Sequence, residues 1–377
     1  MLLPDEPARQ DITPLPDEAE PAKFVLMVTG SPGDAQRYRC TNKLEEFEYL
    51  GLTADSVMSE QLDYQRDLGR YEMFLLHRVQ NSPQLTDFIK RAKALGKPVV
   101  FDTDDLVFDG RPDRLSPVTR HMGRRELELH KDYVYRTCRT LEQCDSAIVS
   151  TECLRDCILE LFPGKKVYLH RNAASQKFTD LVDTVRSEYV KQPSDLVRIA
   201  YVSGSKTHKD DFAQCVQPLR RLLETYPQVR LMCVGHVEIP AEVRDFANQV
   251  EAVPPVPWYH VPMCYAMVDI NLAPLELNHK FTESKSELKY FEPALMEIPT
   301  VASDIAPFRV GITGGETGFL CGTDQEWYES LERLVLDAEL RKRIGKAARA
   351  DVLSRYTTRH RSEELRPVLH EILGRAV

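Results

Sequence analysis

The chain has 377 residues, of which 42% are hydrophobic and 28% are charged. This composition excludes a disordered chain, a collagen and a coiled coil, and the length allows two domains that each bury a core. The 49 Lys and Arg residues against 58 Asp and Glu residues give a formal net charge of −9. We therefore expect no nucleic-acid partner and no general coat for an anionic membrane.

The cysteines and the N-terminal segment indicate a cytoplasmic protein. The nine cysteines are an odd number without a Cys-x-x-Cys pair, which predicts reduced, mostly buried thiols rather than a zinc framework or a disulfide scaffold. Residues 1–22 are rich in Pro and acidic residues and predict a loose tail without the features of a signal peptide. No run approaches 18 apolar residues, so we expect no transmembrane helix.

From residue 23 onward, short β-branched runs alternate with amphipathic stretches. The first half of this pattern predicts strands at Phe24–Thr29, Met73–Leu76, Pro98–Asp102, Ser146–Ser150 and Val167–His170. Helices are predicted between them at Ala35–Leu50, Gln84–Leu95 and Arg124–Gln143. The alternation is typical of βαβ units and predicts a mostly parallel sheet covered by helices.

Residues 172–195 interrupt the alternation, which then resumes. Further strands are predicted at Val197–Ser203, Val229–Gly235, Val268–Pro274, Thr300–Ser303 and Gly318–Cys321, with helices that include Asp210–Thr225 and Ser286–Met296. We therefore predict the α/β class, with doubly wound domains at 23–175 and 196–357, a linker at 176–195, and a helix at 358–377 that crosses back to the first domain. Ligands of such sheets bind beyond the carboxyl ends of the strands, so the site is expected between the domains.

A turn of small and basic residues follows the strand Val197–Ser203. Glycine permits close backbone approach, and the free N–H groups at the start of the next helix attract an anion. The residues expected to hold a phosphate here are Gly204, Ser205, Lys206, His208 and Lys209. An ordinary turn with solvated lysines is the alternative for this segment taken alone.

The stretch around residues 284–296 carries charged residues at helical spacing. If the helix starts near Ser284, then Lys285, Lys289 and Glu292 share one face. The amides before the helix and the lysines would neutralise a diphosphate without a metal, and Glu292 could accept hydrogen bonds from a ribose diol. The alternative is a surface helix with a Lys–Glu pair, although its Tyr-Phe pair requires partial burial.

The segment KSELKYFEPALMEIPTVASDIAPF, residues 285–308, resembles the donor site of retaining GT-B glycosyltransferases of family 4. In that family a Glu-x7-Glu pair precedes Ala-x-x-x-Gly-x-Pro-Val-Val-Ala-Ser; Glu292 matches the second Glu, and Pro299–Ser303 matches the strand. The stretches that resemble the family's later strand, its diphosphate turn and the start of its linker are Gly318–Leu320, residues 201–212 and His170–Asn172.

The resemblance implies a GT-B architecture and retaining transfer of a hexosyl or deoxyhexosyl group from a nucleotide diphosphate sugar to a carbohydrate hydroxyl. It implies neither a metal nor another cofactor, because fixed N–H groups and lysines stabilise the diphosphate. It also implies no protein nucleophile, because the leaving diphosphate takes the acceptor proton. Glu292 would bind ribose, and Ser286 and the lysines would contact the diphosphate. The nucleobase would lie near Val253–Tyr259, beside Trp258.

The chain departs from the family at the first motif Glu, which falls on Ser284 next to Glu283. That Glu contacts the donor sugar in the family; here Glu283, which is one residue away, and Lys285 are catalytic candidates. The Lys-Ser-x-x-Lys-x-x-Glu form resembles a bacterial subgroup that assembles surface polysaccharides. This implies a carbohydrate or lipid-linked glycan acceptor at the inner face of the membrane. The missing Glu motivates an alternative, an inactive GT-B subunit that binds a partner or a sugar.

Carboxylates cluster where the strand Pro98–Asp102 ends. The family has Val-His-Asp here, so Asp104 takes the His position as a catalytic candidate, and Asp102 and Asp105 are acceptor-side candidates. Mutual repulsion would raise the pKa of one of them. Rival interpretations are a solvated loop, the Asp-x-Asp metal site of inverting GT-A enzymes, and a haloacid-dehalogenase phosphatase with Asp102 as nucleophile and Mg²⁺.

Residues after the first strand complete the acceptor side. Gly30 lies in the Gly-Ser-Pro-Gly loop, and Arg37 and Arg39 follow in the first helix. Either arginine could bind a phosphate or carboxylate, or could be structural. We expect neither His77 nor His121 to be a catalytic base.

Overall fold

The computed structural model of the protein describes residues 23–192, 194–204 and 209–377, with Lys209 described in its backbone only. The first sheet has six parallel strands in the order β2-β1-β3-β4-β5-β6. Their bounds are β1 Lys23–Thr29, β2 Ala54–Met58, β3 Tyr71–His77, β4 Val99–Thr103, β5 Ser146–Val149 and β6 Lys166–Leu169.

The second sheet also has six parallel strands, in the order β12-β11-β10-β7-β8-β9. Their bounds are β7 Val197–Ser203, β8 Val229–Gly235, β9 Val250–Val253, β10 Ile270–Ala273, β11 Thr300–Ser303 and β12 Gly318–Cys321. In each sheet the chain adds strands first on one side of its first strand, β1 or β7, and then on the other side, which confirms the predicted two-domain, doubly wound α/β class.

Helices cover both sheets. In the first half of the chain they are α1 Asp34–Gln36, α2 Asn42–Tyr49, α3 Arg66–Arg70, α4 Pro83–Ala94, α5 Arg124–Gln143, α6 Glu152–Leu161 and α7 Gln176–Glu188. In the second half they are α8 Lys209–Ala213, α9 Val216–Thr225, α10 Val261–Ala266, α11 Lys280–Glu283, α12 Leu288–Leu295, α13 Ala306–Gly311, α14 Asp324–Leu336, α15 Ala338–Arg355 and α16 Thr358–Leu373. A π-helical turn, Arg37–Thr41, joins α1 to α2.

Two strands, β2 and β9, are absent from the predicted elements. Each lies at an edge of its sheet. The five residues of β2 are all half-buried, and the two central residues of β9 are exposed. Edge strands bury less side-chain surface, so neither has the continuous apolar run that marks the inner strands of a parallel sheet.

The helix predicted at Asp210–Thr225 is divided into α8 and α9. Pro218 is the third residue of α9. A continuous helix would place Pro218 in its interior, where its ring clashes with the carbonyl four residues earlier and its missing N–H removes a hydrogen bond. The chain therefore starts a new helix at Val216, and proline falls in the tolerated first turn.

The C-terminal helix α16 packs on the first domain, as predicted. Its Leu365 and Leu369 are fully buried in the same cluster as Phe24, Met27 and Phe47. The predicted linker is largely the helix α7, whose apolar face is also buried. Phe178 and Val182 of α7 pack against residues of the second domain that include Tyr265 and Phe291. Buried apolar side chains therefore hold α16 on the first domain and α7 against the second.

All nine cysteines are free, and seven are buried. Within the described ranges, no helix is long and apolar enough to cross a lipid bilayer.

The contact between α15 and the end of α12 requires a glycine. A Cβ at Gly345 would lie 1.8 Å from the carbonyl oxygen of Glu297, a backbone atom. We expect Gly345→Ala to lower the free energy of unfolding by about 1–3 kcal/mol, measured by urea denaturation. The control is Gly69→Ala in α3, where no atom lies within 4 Å of the added Cβ. Equal stability of the two variants would contradict this account.

Candidate functional site

Residues that follow strands of the first sheet contact the segment 284–292 of the second domain. Arg37, after β1, pairs with Glu292 at 2.9 Å. Asp105, after β4, pairs with Lys285 at 3.2 Å. Thr151, after β5, donates a hydrogen bond to the Ser284 carbonyl at 3.0 Å. The carboxyl ends of the first sheet and the loop before α12 therefore form one interdomain cleft.

The wall of this cleft depends on a buried ion pair between Arg39 and Asp102, each with a side chain that is 1% exposed. Arg39 Nε and Nη2 donate to the two carboxylate oxygens of Asp102, each at 2.7 Å. Arg39 Nη1 donates to the His170 carbonyl at 2.8 Å and to Asn172 Oδ1 at 3.0 Å. Both residues were expected to face an acceptor. Both side chains are instead buried, where they hold the end of β4 against the segment that follows β6.

A second charged cluster lies beside this pair. Arg78 Nη2 donates to Asp104 Oδ1 at 2.5 Å and lies 3.6 Å from Asp105 Oδ2. His77 lies below them, with Nδ1 2.9 Å from Thr29 Oγ1 and Nε2 3.5 Å from Asp104 Oδ1. Burial lowers the pKa of His77, which therefore stays neutral. Asp104 is thus a paired, largely buried carboxylate.

The expected raised pKa is not found at Asp102 or Asp104. Burial alone would raise both pKa values, but Arg39 beside Asp102 and Arg78 beside Asp104 hold them below their ordinary values. The raised pKa was predicted from the neighbouring carboxylates alone, without the two arginines that face them. The phosphatase alternative is also disfavoured, because both oxygens of its nucleophile, Asp102, are bound to Arg39.

Gly30 lies at the end of β1, packed against the next strand. Its N–H donates to the His77 carbonyl at 2.9 Å. A Cβ at this position would lie 2.5 Å from the Arg78 carbonyl oxygen. Glycine is therefore required for the close approach of the two strand ends.

The segment before α12 differs from its prediction, because α12 starts at Leu288 rather than near Ser284. The Ser284 N–H donates to the Lys280 carbonyl and the Lys285 N–H to the Thr282 carbonyl, so α11 uses two amides that were expected to bind a diphosphate. The expectation that Lys285 shares a helical face with Lys289 is wrong for the same reason. Lys285 reaches Asp105 of the first domain instead.

The remaining candidates of this segment also have protein partners. Ser284, at the position of the first motif Glu, is fully buried, and its hydroxyl donates to the Phe281 carbonyl at 2.6 Å. Glu283 Oε2 accepts a hydrogen bond from the Ala306 N–H at 2.9 Å and so caps α13. Asn172 Nδ2 donates to Ser286 Oγ at 2.9 Å. Of these contacts, the one between Asn172 and Ser286 docks the segment on the first domain.

Two motif residues lie on α12: Lys289 reaches the end of β7, and Glu292 reaches residues that follow β1. Lys289 Nζ donates to the Val202 carbonyl at 2.5 Å and lies 4.7 Å from the Tyr201 ring centre. Burial lowers the pKa of Lys289 to about 8, against the opposing effect of the nearby Asp211 and Glu292 carboxylates. Glu292 Oε1 accepts hydrogen bonds from Arg37 Nη2 and from the Tyr38 hydroxyl.

Of the predicted phosphate turn, Ser205, Lys206 and His208 lie outside the described residues, and the Lys209 side chain is not described. Gly204 is exposed at the end of β7. It lines a cavity of about 500 Å³ together with Arg37 and Trp258. This cavity adjoins the position predicted for the nucleobase.

Several residues of the cleft were not predicted as site residues, namely Arg78, Thr151, Arg171, Asn172 and Glu287. Glu287 is 1% exposed, and its nearest charged partner is Arg171 Nη1 at 3.6 Å. The resemblance of residues 170–172 to the start of a linker was the only signal for two of them. The other contacts join residues far apart in the chain, so local spacing carries no sign of them.

The buried Arg39–Asp102 pair should be a major determinant of stability. We expect Arg39→Met to lower the free energy of unfolding by about 3–5 kcal/mol, because it leaves a buried, unpaired carboxylate, and Arg39→Met/Asp102→Leu to recover part of the loss. Urea denaturation measures both. The control is Arg309→Met, which removes a surface pair with Asp304 (side chains 56% and 40% exposed) and should cost at most about 1 kcal/mol. Equal losses for Arg39→Met and Arg309→Met would contradict this prediction.

Comparison with known proteins identifies the fold. Residues 206–366 match a family model described as glycosyl transferase-like. No curated protein matches the chain. Among solved structures, HepE of Anabaena in complex with UDP is 14% identical, with a TM-score of 0.60 over 92% of this chain and 100% of that chain. HepE has also been crystallised with UDP-glucose.

Two further solved structures have the same fold. Sucrose-phosphate synthase of Thermosynechococcus elongatus is 12% identical, with a TM-score of 0.59 over 93% of this chain and 100% of that chain. A glycosyltransferase of Rickettsia africae is 11% identical, with a TM-score of 0.60 over 93% of this chain and 99% of that chain. The chain therefore has the GT-B fold of these structures, and residues 206–366 within its second half match the glycosyl transferase-like family model.

Proposed function

We propose that the protein is a retaining glycosyltransferase that moves a hexosyl or deoxyhexosyl group from a nucleotide diphosphate sugar to a carbohydrate hydroxyl. This proposal rests mainly on the placement of Lys289 and Glu292 on α12, inside the segment that matches the family model. Lys289 reaches the end of β7, where the turn predicted to hold the diphosphate begins. The complexes of HepE with UDP and UDP-glucose support a nucleotide-sugar donor.

The chemistry of the step follows from charge. When the sugar leaves the donor, the nucleotide diphosphate gains a negative charge, and cations held in place stabilise that charge in the transition state. Lys285 and Lys289 supply two such cations without a metal. The diphosphate takes the proton of the acceptor hydroxyl, so the protein needs neither a nucleophile nor a separate base.

We further propose that the acceptor is a carbohydrate or lipid-linked glycan of a bacterial surface polysaccharide, elongated on the cytoplasmic side of the membrane.

One observation favours a second candidate, an inactive GT-B subunit that binds a partner or a sugar. Ser284 replaces the motif Glu and is buried. The neighbouring Glu283 caps α13 instead of facing the cleft. Lys285 is paired with Asp105. In this alternative the cleft binds a partner or a sugar and catalyses no glycosyl transfer.

Nucleotide binding and transfer distinguish the two candidates. We expect a nucleotide sugar from a panel of UDP-, GDP- and dTDP-sugars to raise the melting temperature, because it binds only the folded state. Glu292→Gln and Lys285→Ala should each lower kcat/KM for transfer about 10–100-fold, as expected for loss of a charge-assisted hydrogen bond.

Matched controls are Glu297→Gln and Lys191→Ala, which remove a Glu and a Lys paired outside the cleft with Arg186 and Asp269. These should leave kcat/KM within about twofold. Binding without measurable transfer to any glycan would favour the inactive subunit. Unchanged nucleotide binding and transfer in Glu292→Gln and Lys285→Ala would refute the proposed function.

The lowered pKa of Lys289 predicts a pH dependence of donor binding. Lys289 attracts a diphosphate only when protonated, and burial brings its pKa to about 8. The affinity for UDP should therefore be highest below pH 8 and fall, by up to about tenfold per unit, as the pH rises above that value. Isothermal titration between pH 7 and 9.5 measures this. Lys289→Met should bind more weakly and lose the dependence, and an affinity of the native protein that stays flat across this range would contradict the prediction.

A further inference from the structure

In the π-helical turn Arg37–Thr41, the side chains of neighbouring residues pack against different domains. Arg39 and Cys40 face the first domain, where Arg39 binds Asp102 and Cys40 packs in the core. Tyr38 packs in the core of the second domain, 4% exposed and 5.9 Å from the Phe291 ring centre. Such π-helical turns are rare and occur frequently at functional sites. Here the turn extends the first domain into the nucleotide half of the cleft.

Arg37 is held firmly at this position. Its guanidinium lies 4.2 Å from the Tyr38 ring centre, 5.3 Å from that of Trp258 and 5.7 Å from that of Phe178. Its Nη2 donates to Glu292 Oε1 and to the Tyr38 hydroxyl, each at 2.9 Å, and its side chain is 12% exposed. Burial opposes the charge of Arg37, but the Glu292 and Asp34 carboxylates raise its pKa, so it stays a cation.

The two oxygens of Glu292 are used differently. Arg37 Nη2 and the Tyr38 hydroxyl both approach Oε1, which has two lone pairs. Within the described ranges, Oε2 accepts no hydrogen bond. The side chain keeps 15% of its surface exposed. The carboxylate is therefore fixed through one oxygen and presents the other, with two acceptor positions, to the cleft.

We propose that Arg37 and Tyr38 are positioning residues of the first domain that orient Glu292 for the ribose diol of the donor nucleotide. This inference rests on the proposed function and adds that both domains set nucleotide affinity, although Glu292 belongs to the second. A carboxylate already held in its binding orientation loses little conformational entropy when the ribose binds. The cavity of about 500 Å³ lined by Arg37, Gly204 and Trp258 lies beside Arg37, which pairs with Glu292, and is the expected place for the base.

A double-mutant cycle with UDP, and with GDP in parallel, tests this inference by isothermal titration. We expect Arg37→Met and Glu292→Gln each to weaken nucleotide binding about tenfold or more. Because Arg37 acts through Glu292, the double variant should bind no more than about twofold more weakly than Glu292→Gln alone. Arg37→Lys should recover most of the loss by restoring a cation. In transfer assays, Arg37→Met should raise the donor KM and largely keep kcat.

The control is Arg186→Met, which removes an ion pair with Glu297 just beyond the other end of α12 and should leave nucleotide affinity unchanged. Melting temperatures without nucleotide verify that each variant is folded. If Glu292→Gln weakens binding and Arg37→Met does not, or if their losses add, the inference is overturned while the proposed function stands. If Glu292→Gln has no effect, or neither nucleotide binds the native protein, the proposed function itself fails.

Discussion

A single arginine, Arg39, connects the elements that form the cleft. Its guanidinium donates to Asp102 at the end of β4, and to His170 and Asn172 after β6. Asn172 in turn donates to Ser286, just before α12. Arginine suits this position because its planar fork carries five donors and keeps its charge when buried. A charge buried in the first domain thus helps to set the location of α12.

The helix α12 contacts the first domain at two places. At its start, Arg171 lies between Glu152, which it contacts at 2.5 Å, and the buried Glu287. One turn further along the helix, Arg37 and Tyr38 hold Glu292. The two contacts differ in distance, because Arg171 Nη1 lies 3.6 Å from Glu287 Oε1, beyond a normal hydrogen bond, whereas Arg37 Nη2 lies 2.9 Å from Glu292 Oε1.

The sequence was informative where burial or spacing is local. The inner strands were recognisable as apolar runs, and the spacing of Lys289 and Glu292 correctly assigned both to one helix. Whether charges at a strand end face a substrate or one another depends on residues far away in the chain. Asp102 is neutralised by a residue 63 positions away, and Glu292 is held by one 255 positions away. The edge strands β2 and β9 and the start of α12 were missed because tertiary contacts, rather than local pattern, determine them.

The absence of the first motif Glu is explained by the docking of α11. Phe281 inserts into the core of the first domain, and Thr151 binds the Ser284 carbonyl, so the Ser284 side chain has no exposed surface. A glutamate at position 284 would place an unpaired carboxylate in this contact, at a cost of several kcal/mol. The small hydroxyl of serine is satisfied by the Phe281 carbonyl instead. The next residue, Lys285, meets Asp105 of the first domain at 3.2 Å. Serine at position 284 therefore fits the way in which the two domains meet, and an interdomain ion pair lies beside it.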